Sequence, residues 1–238
     1  MGYFNSAMVL ANQPDWSALD SFPSDHGLRA YSHKDGGPWL LECWRLSRRG
    51  DPYPFQGAPS DNFRSPFLAG DAADLAAAIE AIRQVLGRVT AYGTGYVHAA
   101  LDVSHRLGQT VYFFAADDDV QDTALLATSP GPITMGAWYG SCRFTFESGG
   151  ASIIPVQFDE DEEAPLDAVQ LSRLRSIPGL TVAPTVAAEG GKRLYDYPLR
   201  LWPPSLPDPE RLLGLGTWDP FLQFEDHFSL AYGRPAVS

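Results

Sequence analysis

The sequence predicts an α+β fold: mainly antiparallel sheet, an amphipathic helix pair at about 71–107, and short helices near the C-terminus. Three observations carry this. Strand-like runs follow one another at short spacing with Gly, Pro and Ser turns between, the pattern of a meander rather than of alternating βαβ units. Residues 71–89 repeat their apolar positions with helical period. Twenty Pro and twenty-two Gly in 238 residues imply many turns and short elements.

Taken in order, GYFNSAMVL (2–10) reads as a strand, and PDWSALDSF (14–22) as a turn or short helical piece. GLRAYSHKD and PWLLECWRLS read as two strands joined by the turn signal DGG. Residues 50–70 hold four prolines and four aromatics, which makes them a long ordered loop, because the aromatics need somewhere to pack. In 71–89, Leu75, Ile79, Ile82, Leu86 and Val89 form one apolar stripe. Asp71 is the expected N-cap, and Asp74 suits the positive end of the helix dipole. A second helix is expected at about 95–107, closed by Gly108, with YGTGY (92–96) as an interhelical turn capped by Thr94.

QTVYFFAA (109–116) is the clearest strand, and TALLAT, PITMGAWYG, CRFTFES and ASIIPVQF continue a meander. PLDAVQLSRLRSI reads as a helix stopped by Pro178 and Gly179. LTVAPTVA and KRLYDYPLRLW read as strands. The tail, from Asp208 to Gly233, reads as two short helices, starting at Asp208 and Asp219, each followed by Pro. No internal repeat is visible. The chain is expected to form a single α+β domain over 1–238, with a weak subdivision near 108 or 165.

An apolar fraction of 45%, rich in aromatics, marks a globular chain. Arginine far outnumbers lysine, and alanine is abundant, a composition that looks bacterial. Cys43 and Cys142 lie far apart in apolar runs and read as buried free thiols. The N-terminus lacks a basic region and a long apolar run, so no secretory signal is read, and no stretch is apolar for the roughly 18 residues a membrane helix requires. MGYFNS fits the loose myristoylation pattern, but its aromatic pair belongs with the first strand. A cytoplasmic protein is expected.

The formal net charge is −12, and it is unevenly spread. Residues 114–170 hold eleven acids and one base, Arg143, while the rest of the chain holds eighteen acids against sixteen bases. The acids concentrate in two places where an apolar strand runs out: Asp117, Asp118, Asp119 and Asp122 after VYFFAA, and Asp159, Glu160, Asp161, Glu162 and Glu163 after SIIPVQF. Such a field repels nucleic acid and anionic membranes and attracts basic proteins. DDDVQD lacks the alternating spacing and the Gly of a calcium loop. In an extended chain Asp117 and Asp119 face one way and Asp118 the other.

His98, Asp102 and His105 stand at i, i+4 and i+7 of the second helix and fall within about 60° of one another. An Asp and a His four apart can orient each other, as metal ligands or an acid–base pair would require. The plain alternative is a polar helix face with a local hydrogen bond. No nucleophile elbow, HExxH or P-loop occurs, no catalytic residue is assigned, and no cofactor is expected. Trp202, Trp218, Phe221, Phe224 and Phe228 crowd the C-terminal region as core or contact residues.

No motif assigns a family. An acidic, aromatic-rich α+β chain with no catalytic signature has the general character of a bacterial immunity protein, which neutralises a toxin by covering its active site. The expectation is therefore a protein-binding module. Its acidic segments 117–122 and 159–163 would face a basic toxin or effector domain, with no nucleic-acid or membrane partner. Two alternatives stand beside it: a metal-assisted hydrolase using His98, Asp102 and His105 together with the 117–119 carboxylates, and a structural subunit, with homo-oligomerisation left open.

Overall fold

A computed structural model describes residues 4–10, 12–34, 39–45, 63–67, 70–87, 94–117, 122–128, 133–139, 141–147, 150–157, 165–187 and 228–234. Its strands are β1 (Phe4–Leu10), β2 (His26–His33), β3 (Trp39–Arg45), β4 (Val111–Asp117), β5 (Asp122–Thr128), β6 (Thr134–Tyr139), β7 (Cys142–Glu147), β8 (Gly150–Gln157), β9 (Leu180–Val182), β10 (Val186–Ala187) and β11 (Phe228–Arg234). The helices are α1 (Asp71–Leu86), α2 (Thr94–Leu107) and α3 (Ala168–Arg175). The class is α+β, with antiparallel pairing dominant, as the grouping of strands with strands predicts.

All eleven strands belong to one sheet, in the order β10–β8–β7–β6–β5–β4–β1–β3–β2–β11, with β9 also on β8. β2 and β3 pair antiparallel from His26 opposite Arg45 to Ser32 opposite Trp39, the hairpin that the DGG signal predicts. The turn itself lies outside the described residues. β1 sits mid-sheet between β3 and β4, and β4 to β8 form the expected antiparallel meander. Pairing joins strands from both sides of residue 108, through β1 and β4, and from both sides of residue 165, through β8 and β9.

Four expectations are corrected. LTVAPTVA is two short strands, both parallel to β8, and the crossover that parallel pairing requires is α3. Pro184 lies between them and cannot donate to the ladder. Asp71 is not the N-cap of α1. Gly70 is, with φ at 55°, a conformation that glycine adopts without strain, and its carbonyl accepts from the Ala73 and Asp74 amides. α1 closes at Gly87, φ 64°, two residues before Val89, the last residue of the predicted stripe. Residues 228–234, which the tail reading ran into its last helix, form the edge strand β11 against β2. The helices predicted from Asp208 and Asp219, and the strand at 192–202, fall on residues outside the described set.

α1, α2 and α3 pack against one face of the sheet, each for a readable reason. Leu75, Ile79 and Ile82 of the α1 stripe are buried, as are Val97, Leu101 and Val103 of α2. α3 begins with a capping box in which the Asp167 carboxylate accepts from the Gln170 amide and the Gln170 side chain accepts from the Asp167 amide. Under the helices lie Met8, Leu10, Leu41, Phe113, Phe144 and Ile153, all essentially inaccessible. Each fully buried side chain of this kind stabilises by roughly 1.5–3 kcal/mol. Alternation sends their neighbours to the second face, where Val9 and Leu40 are also buried and the Tyr31 hydroxyl donates to Glu42 Oε2 at 3.1 Å. Among the described residues no helix is long and apolar enough to cross a membrane.

Candidate functional site

The acidic segments are placed by the meander. Asp117 ends β4, Asp122 begins β5, and the two are opposite each other on the last rung of that hairpin. Antiparallel alternation then carries β5 away from this edge of the sheet, β6 back to it, β7 away and β8 back, so Gln157 ends at the same edge as Asp117 and Asp122. Asp118, Asp119 and Asp159, Glu160, Asp161, Glu162 and Glu163 lie outside the described residues, but the chain reaches both groups from one edge. With strands about 4.8 Å apart, Gln157 is three steps from Asp122 and four from Asp117, or roughly 14–19 Å. The Debye length is about 8 Å at physiological salt and about 30 Å at 0.01 M, so the two attachment points share one field only in dilute salt.

The helical face predicted on α2 is real, but it is divided. His98 and Asp102 are buried, at 2% and 0% exposure. His105 is exposed and stacks on Phe67, with ring centroids 3.7 Å apart. Asp102 is held by Arg106 on the next turn. Arg106 Nε donates to Oδ2, its Nη2 to Oδ1 at 3.4 Å, and its Nη1 to the Ser21 hydroxyl. The same guanidinium lies over the Phe67 ring at 5.4 Å and the Phe22 ring at 5.9 Å. From the 63–67 segment, the Ser65 hydroxyl donates to Asp102 Oδ1 at 3.3 Å and the Ser65 amide to His98 Nδ1 at 3.4 Å.

Ser, His and Asp are therefore adjacent without forming a nucleophile relay. A relay needs the histidine between the other two, taking the serine proton. Here the serine proton points at the carboxylate, its oxygen accepts from the Phe67 amide at 3.1 Å, and among the described residues His98 Nδ1 receives a backbone N–H and no serine proton. Because Nδ1 accepts, the ring is neutral there. Burial first, and the Arg64 charge second, hold the His98 imidazole below its ordinary range. Among the described residues no three His, Cys, Asp or Glu side chains form a group able to hold a metal ion, and that includes His98, Asp102 and His105. The cluster ties α2 to two loops.

Arg234 completes the tie. Its Nη1 donates to the carbonyls of Leu19, Asp20 and Phe22, and its Nη2 to those of Pro23 and His26, at 2.9–3.3 Å. Its guanidinium also lies over the Phe22 ring, 5.7 Å from the centroid. Cys43 and Cys142 are buried free thiols, as expected, and burial pushes the Cys43 thiol far above its usual range.

Sequence reasoning found His98 and Asp102 but missed Ser65, Ser21, Arg106 and Arg234. Arg106 had a signal, an opposite charge four residues beyond Asp102. Ser65 and Arg234 come from distant segments and had none. No protein-family model matches this chain, and no curated protein or solved structure matches it either.

Proposed function

We propose that this chain is an acidic protein-binding module, an immunity-type inhibitor that neutralises a basic toxin or effector domain in the cytoplasm by covering its active site. The observation that supports this reading is the common edge from which the chain enters both acidic segments. Acidic segments that leave the sheet at one end suit a single basic partner, and the electrostatic steering they supply raises the association rate in dilute salt and falls as salt is added. The buried charges of α2 are paired within the fold and add nothing to that attraction.

The test uses the tagged chain and lysate of its own host, with capture repeated from low salt to roughly 1 M, where the Debye length is about 3 Å. A basic protein captured stoichiometrically, released as salt rises, and inhibited in its own activity by the added chain is the expected result. A variant with Asp117, Asp118, Asp119, Asp122 and 159–163 changed to Asn or Gln should lose that capture. Unchanged capture and unchanged salt dependence in this variant would end the proposal.

A further inference from the structure

The carbonyls of Leu19, Asp20, Phe22, Pro23 and His26 converge on one group, the Arg234 guanidinium, at 2.9–3.3 Å. Two local turns aim them. The 3-10 helix Trp16–Leu19 runs into a turn in which the Phe22 amide donates to the Leu19 carbonyl, and in the next turn the His26 amide donates to the Pro23 carbonyl. A carbonyl oxygen has two lone pairs, so Leu19 and Pro23 serve their own turns and the guanidinium together. The acceptors form two groups: those of Leu19, Asp20 and Phe22 around Nη1, and those of Pro23 and His26 around Nη2. The Phe22 ring lies against the same cation, 5.7 Å from its carbon.

Arg234 reaches this place because β11 is irregular. Opposed residues of an antiparallel ladder share a face, and in a regular strand Leu230, Tyr232 and Arg234 would share one face as well. Leu230 lies opposite Tyr31, on the second face of the sheet. The register then shifts, and Tyr232 and Arg234 lie opposite Ala30 and Leu28, which belong to the core under the helices. The extra residue, Ala231, turns both side chains to the helix face. There Tyr232 stacks on Trp16, with ring centroids 5.0 Å apart. β11 ends the strand order beside β2, and its Ser229, Leu230, Ala231 and Gly233 are exposed, Leu230 to 65%. Apolar burial therefore does little to hold the strand, and among its described side chains the anchors are Tyr232 and Arg234.

We propose that the segment from Leu19 to His26 is a binding site for a guanidinium ion, with Arg234 as its resident ligand, and that β11 is a strap fastened by that one group. A guanidinium is planar and carries its N–H donors on separate nitrogens, so its two Nη groups meet both sets of carbonyls at once. An ammonium ion has all its donors on one nitrogen and a metal cation has a single centre, and neither matches acceptors divided between two points. With the strap withdrawn, the site takes a free guanidino compound in place of the side chain. The site is independent of the acidic-edge reading, since it lies beside β2 and β11 rather than β4–β8 and is built of carbonyls rather than carboxylates.

The test uses the full chain carrying Arg234→Ala and reads the strap and the site separately. Native-state hydrogen exchange should show the β11 amides opening about tenfold more often than in the wild type, or more, with the β4–β8 meander unchanged. Methylguanidinium chloride, titrated at constant ionic strength and millimolar concentration, should then shift the backbone amide signals of 19–26 saturably in the variant and leave the wild type unmoved. It should not slow β11 exchange, because the free ion fills the site without being joined to the strand. Ammonium and potassium chloride should give no saturable shift. Arg234→Lys keeps the charge and should still loosen β11, and it serves for both measurements where Arg234→Ala does not fold. β11 exchange as slow as the wild type in either variant would remove the strap. No saturable shift with methylguanidinium, or an equal one with ammonium or potassium, would remove the guanidinium site.

Discussion

The α2 cluster and the acidic sheet edge hold the same kind of group in opposite circumstances. Asp102 has no exposure, an arginine on the next turn and a serine hydroxyl from a distant segment. Asp117 and Asp122 occupy opposed positions on the last rung of the β4–β5 hairpin. A carboxylate whose lone pairs are filled from within is part of the architecture. A position opposed by a second carboxylate meets like charge across the ladder.

The sharpest way to break this contrast is at Asp102. Asp102→Ala strands the Arg106 charge and should cost roughly 3–5 kcal/mol, read from the urea midpoint. A loss below about 1 kcal/mol would mean that the pair is not a determinant of the fold.

His98 gives a smaller, pH-dependent effect. Its folded pKa is lowered, so the folded chain takes up this proton less readily than the unfolded chain does. The corresponding stability is fully present above the unfolded pKa of about 6.5 and is lost as pH falls below it. Urea midpoints measured between about pH 7.5 and 5 should fall more steeply for the wild type than for His98→Gln, by on the order of 1 kcal/mol. Parallel curves would remove His98 from the account.

At the sheet edge the sign should reverse. Asp122→Asn relieves a like-charge pair directly across a ladder and should stabilise by a few tenths of a kcal/mol. Thermal unfolding at low salt would show it, and a destabilisation would place Asp122 with Asp102 as a structural carboxylate.

Legibility followed the length scale of the interactions. The α1 stripe was readable because Leu75, Ile79 and Ile82 meet the core through their own helical period. The β4–β8 meander was readable because its turns are short. β11 was not, since the register shift between Leu230 and Tyr232 breaks the period of two by which a strand is recognised. The parallel pairing of β9 and β10 was hidden because it depends on a crossover, not on any residue within them. At the candidate site, His98 and Asp102 were found from one helix, whereas Ser65 and Arg234 reach their partners from segments that no local pattern connects. The common edge of the acidic segments emerged only from the strand order.

β1 is first in the chain and central in the sheet, and this has a consequence for synthesis. Its β3 neighbour follows within a few dozen residues, but its other neighbour begins at Val111, and Phe4 waits for Asp117. At about 5–20 residues per second, roughly 110 residues take about 6–22 s to make. Throughout that interval a nascent chain holding Met8, Val9 and Leu10 has one apolar strand edge with nothing beside it. The newborn protein passes through a window in which its central strand can be paired on one side alone.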